Sequence, residues 1–93
     1  MDMLQDNPTV DTSALPSTAP AEGRIDFVHD DERFTLEALR PRTWILSRVT
    51  RYSTTTLFTV HELDGTWRAY RHDGRVTRLD AASLTELLRR ALA

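Results

Sequence analysis

Three histidines each stand beside an acid: His29 before Asp30, His61 before Glu62 and His72 before Asp73. An imidazole next to a carboxylate is raw material for a metal site or a general base. A specific metal site on one element needs a second ligand at close spacing on the same face, i+2 on a strand or i+4 on a helix. None of the three meets another histidine at that spacing, and two flank expected turns, so they read as solvated turn or strand residues. The adjacent carboxylates Asp30 and Asp31 fall in an expected hairpin loop, where a solvated acidic turn needs no catalytic role. No serine sits in a Gly-x-Ser-x-Gly elbow, and there is no cysteine to serve as nucleophile or thiolate ligand. Three glycines in the whole chain leave no phosphate-cradling loop. The expectation is a protein that is not an enzyme and takes no cofactor and no metal.

The arginines carry more chemistry. All twelve basic residues are arginine, and between residues 40 and 79 eight arginines face three acids. Arg48, Arg51, Arg68, Arg71, Arg75 and Arg78 fall on or beside strand candidates, accompanied by Trp44, Tyr52, Trp67 and Tyr70. Guanidinium and aromatic groups on one sheet are the residue types enriched at protein interface anchors. They could also track a phosphate backbone and stack bases. The sequence pI near 5.8 weighs against the second use, since a dedicated nucleic-acid binder is usually far more basic. The leading expectation is a small protein–protein interaction module with Arg48, Arg51, Arg68, Tyr70 and Arg71 as its candidate binding residues. A nucleic-acid-binding accessory protein stands second, and a secreted effector with an N-terminal leader third.

Positioning such residues requires strands. Ile25 and Phe27 alternate with polar neighbours, His29 to Glu32 breaks the run, and Phe34, Leu36 and Ala38 resume it, which predicts a hairpin with a short acidic loop. Arg40-Pro41-Arg42 interrupts, because proline cannot donate to a central ladder. Thr43 to Tyr52 is the longest strand candidate, with Trp44, Leu46 and Arg48 on one face and Ile45, Ser47 and Val49 on the other. Ser53-Thr54-Thr55 reads as a loop before a strand from Leu57 to Leu63. Asp64-Gly65 and Asp73-Gly74 each separate two strand-like runs and predict two-residue hairpins. Between them, Thr66 to His72 sets Trp67 and Ala69 on one face and Arg68 and Tyr70 on the other, so Trp67 is expected inward and Tyr70 outward. Ser83-x-x-Glu86 fits a capping box, and Leu84, Leu87, Leu88, Ala91 and Leu92 follow it as one helical stripe. The predicted fold is α+β: an antiparallel β-meander of about five to six strands with one C-terminal amphipathic helix packed on the sheet.

Residues 1–23 carry four acids and no base, three prolines and few large apolar groups, which predicts a disordered acidic Ser/Thr/Pro-containing tail ahead of one domain over 24–93. No apolar run is long enough to span a membrane, and Met1 to Asp11 lacks the basic and apolar regions of a secretory signal. A cytoplasmic protein is the expectation. The absence of lysine and the scarcity of Phe, Tyr, Met, Ile and Asn suggest a GC-rich bacterial or phage genome. A folded part of about 70 residues builds a thin core, an argument for self-association as a homodimer through an edge strand or the outer sheet face.

The run from Leu57 through Gly65 to Tyr70 and on to Ser83–Leu88 faintly resembles the second half of a phosphotyrosine-binding Src-homology domain. That family places an arginine inside the strand where Ser47 stands here. The same meander-plus-helix ending also resembles a pleckstrin-homology domain, in a chain short for one. Neither resemblance assigns a residue a role.

Overall fold

The computed structural model describes residues 15–72 and 77–93. Six strands, β1 (Arg24–His29), β2 (Glu32–Arg40), β3 (Thr43–Val49), β4 (Thr54–Leu63), β5 (Thr66–Arg71) and β6 (Arg78–Ala81), precede one helix, α1 (Leu84–Ala91). Every strand pairs antiparallel with its chain neighbours in the order β1-β2-β3-β4-β5-β6. This is the α+β meander expected from the pattern, with connections too short for any crossover.

The tight turns show why. Asp30 and Asp31 take φ of 51° and 65°, and Asp64 and Gly65 take 50° and 90°. Two consecutive positive φ values give the mirror-image turn whose twist matches the flanking strands. Pro41 presets the β2–β3 turn, and Arg42 follows it at φ 62°. The β3–β4 loop closes earlier than the Ser53-Thr54-Thr55 expectation. The Thr50 hydroxyl accepts from the backbone N–H of Tyr52 and Ser53, and the Thr50 N–H donates to the Ser53 carbonyl at 2.8 Å. That local turn releases Thr54 and Thr55 to pair with Val49 and Arg48.

Two irregularities keep the apolar residues on one side. The β2–β3 register shifts between Ala38 and Arg40, leaving Leu39 as an extra, exposed residue. The β3–β4 register shifts between Leu46 and Ser47, where Leu57 is the extra residue. Such bulges change which residues share a face, so Thr55 and Phe58 both lie on the inner side.

The Asp73-Gly74 turn lies outside the described residues. The ladder beside it pairs Arg68 with Asp80 and Ala69 with Leu79. The observed register keeps Leu79 on the inner face with Ala69, because a one-residue slip would turn it to the solvent side.

On that inner face, Phe34, Leu36, Trp44, Leu46, Phe58, Val60 and Ala69 form the core with Leu84, Leu87, Leu88 and Ala91 of α1. Ser83 caps the helix by accepting from the Glu86 N–H at 3.2 Å. The Glu86 carboxylate meets Arg89 at 2.9 Å, one turn on. An isolated helix of eight residues would not hold; its four buried side chains on the sheet keep it. Trp67 lies inward against Trp44, with ring centroids 5.3 Å apart, and Tyr70 points outward.

Residues 15–23, part of the segment read from composition as a tail, lie against this core. Leu15 and Ala19 pack on it. The Pro16 carbonyl accepts from the Thr85 hydroxyl at 2.9 Å, and the Pro20 carbonyl accepts from the Trp44 indole N–H at 2.7 Å. Proline carbonyls suit this, since a residue without an N–H still offers an acceptor. Among the described residues, no helix is long and apolar enough to cross a membrane.

Candidate functional site

The turn at Asp64-Gly65 decides which way the β5 side chains point. It closes on the pair Leu63–Thr66, which puts Arg68 opposite His61 and Tyr70 opposite Thr59 on the outer face. On the other side of β5, the Arg71 N–H donates to the Thr77 carbonyl, so odd-numbered residues of β5 exchange backbone bonds with β6. Arg68 and Asp80 are therefore a non-hydrogen-bonded pair, the kind in which opposed side chains come closest. Arg68 grips Asp80 as a fork, Nε to Oδ1 at 2.8 Å and Nη2 to Oδ2 at 3.3 Å. Arg78 flanks the same carboxylate at 3.8 Å.

Beside this pair, the His61 ring meets Tyr70 edge-on, with centroids 5.7 Å apart and planes at 74°. Thr43 Oγ1 lies 3.4 Å from His61 Nδ1. Burial, then the positive charges of Arg40 and Arg68, hold the His61 pKa below its ordinary value. The hydrogen bond from Arg68 draws the Asp80 carboxyl below the usual carboxylate range, and the same bond raises Arg68. The result is an imidazole held toward its neutral form, a guanidinium whose charge is balanced by a carboxylate, and an exposed phenol set edge-on against the imidazole.

The five candidate residues do not gather in one place. Arg68 and Tyr70 share this outer patch. Arg48 and Arg71 lie on the inner face, past the C-terminal end of α1, where they line a cleft of about 380 Å³ with His29, Glu32, Phe58 and His72. There Glu32 holds Arg48 at 2.7 Å, and the Arg71 guanidinium lies 5.1 Å above the Phe58 ring. At the rim of the cleft the His72 ring turns to Thr59 of the outer face, which it meets through Nε2, while His29 Nδ1 is buried with no hydrogen-bond partner among the described residues. Arg51 is exposed in the β3–β4 loop, apart from both groups.

His61 and Asp80 were not among the candidates named from sequence. Alternation alone could have put His61 on the face of Tyr70. Asp80 could not be found that way, because its partner depends on the β5–β6 register. Among the described residues, no three His, Cys, Asp or Glu side chains are grouped to hold a metal ion. No protein-family model, curated protein or solved structure matches the chain, so neither resemblance drawn from sequence gains support and the site rests on its own residues.

Proposed function

We propose that this chain is a small, non-catalytic protein-binding module that meets its partner through the outer face of β4, β5 and β6. The observation that carries the reading is Tyr70: an exposed aromatic ring braced by His61 and flanked by an arginine already aligned on Asp80. An anchor held in its bound orientation loses little entropy on binding, which is how tyrosine and arginine come to dominate interfaces. Neutralisation of Arg68 by Asp80 favours a protein surface over nucleic acid, since a guanidinium committed to a carboxylate has less to offer a phosphate.

The test places a photo-crosslinking residue at position 70 of the full chain and, as control, at position 52, a loop tyrosine that is 88% exposed. A partner trapped from position 70 and absent from position 52 should lose about 2 kcal/mol of affinity with Tyr70→Ala and again with Arg68→Ala, in variants that stay folded. If charge reversal at Arg68 leaves that affinity unchanged, the patch is merely solvated and the reading fails. Retention on heparin that falls steeply with salt would favour the nucleic-acid alternative instead.

A further inference from the structure

The opposite side of the sheet ends in an open strand. Among the described residues β1 pairs only with β2, and its alternation is fixed at both ends. The Gly23 carbonyl accepts from the Ala38 N–H at 2.8 Å, and the two-residue turn closes on His29–Glu32. Odd-numbered residues of β1 therefore spend their backbone groups on β2. The N–H and C=O of Arg24, Asp26 and Val28 point away from the sheet, and no described residue bonds them. Native edges are blunted by charged side chains, lysine above all, and by proline, bulges or very short strands. β1 has six residues, no proline and no register shift against β2, and the chain has no lysine. What the edge does carry is one charge of each sign two residues apart, Arg24 and Asp26, each side chain about 60% exposed.

We infer that a second copy of this chain pairs antiparallel along β1, joining two six-stranded sheets into one across a two-fold axis. Because only the even-numbered residues have free backbone groups, the axis passes through residue 25, 26 or 27. An axis at Asp26 sets like charges face to face, which disfavours that register. An axis at Phe27 sets Asp26 against the apolar Val28. An axis at Ile25 sets Arg24 against Asp26 of the second copy twice over, and Ile25 against Ile25. Charge complementarity selects Ile25 as the centre. This edge lies at the far end of the sheet from the Tyr70 patch, so the inference stands or falls apart from the proposed partner site.

The absence of cysteine makes the register directly testable in the full chain. In a two-fold pairing, only the residue on the axis meets its own copy within the 4.4–6.8 Å Cα separation of a disulfide. Sedimentation of the unmodified chain should show a dimer, and Ile25→Cys should form a disulfide-linked dimer under mild oxidation while Asp26→Cys and Phe27→Cys do not. Arg24→Asp and Asp26→Arg should each weaken self-association by about tenfold or more, while a mixture of the two variants should associate again as opposite charges meet. Asp26→Pro removes only an outward N–H and should give a folded monomer. A monomer at all concentrations overturns the inference, and so does disulfide formation at 26 or 27 in place of 25.

Discussion

On the inner side of the sheet, Leu36, Leu46 and Val60 are sealed beneath α1 and residues 15–23. On the outer side, Thr35, Thr43 and Ser47 are nearly as inaccessible, at 9%, 5% and 5%, although no described helix lies over them. They owe their burial to longer neighbours: Thr35 and Ser47 line a shallow groove whose walls include Arg33, Glu37 and Val49. The difference is between burial by an element and burial by shading. The first removes apolar surface from water and makes most of the stability; the second hides small hydroxyl-bearing side chains and leaves the face polar and free to bind.

That contrast can be broken at the helix. Leu87→Ala or Leu88→Ala should lower stability by about 2–5 kcal/mol in a urea titration, enough to unfold a domain of this size. Thr35→Ala should cost under about 1 kcal/mol. Comparable losses at both places would mean that the outer face is packed as a second core.

A smaller effect tests how the faces are assigned. Gly65 holds φ at +90° with open space around the place a Cβ would take, so a side chain there is penalised by backbone conformation alone. Gly65→Val should cost roughly 1–3 kcal/mol. Full tolerance of valine would remove the turn that puts Arg68 and Tyr70 outward.

The smallest expected change is in pH dependence, and it sharpens the outer side. His61 has a folded pKa below its ordinary 6.5, so its contribution to stability is whole above that value and is lost as pH falls through the lowered one. Asp80 is likewise lowered, and its contribution is whole above 3.8 and lost on further acidification. Melting temperatures followed from about pH 7 to pH 3 should fall in both windows. His61→Gln should flatten the upper window and Asp80→Asn the lower. An upper slope that survives His61→Gln would show that the contacts around that ring are not as described.

Much of this architecture could be read from local chemistry. The meander, the Asp64-Gly65 turn, the Ser83 cap and the leucine stripe of α1 follow from residue types a few positions apart. So does the split of Trp67 from Tyr70, because successive strand residues point to opposite faces whatever their neighbours are. Composition could also mislead: Leu15, Ala19 and two proline carbonyls look like tail residues until a distant Trp44 and Thr85 supply their partners.

The tertiary structure alone decided the rest. Leu39 and Leu57 as bulges, Arg68 against Asp80, and Arg48 and Arg71 in a cleft away from Arg68 all depend on strand register. Register couples residues ten or more apart and is chosen by which pairing buries the most apolar surface. The alternation in one strand cannot say how far its neighbour is shifted, and a single-residue slip exchanges every inward side chain for an outward one.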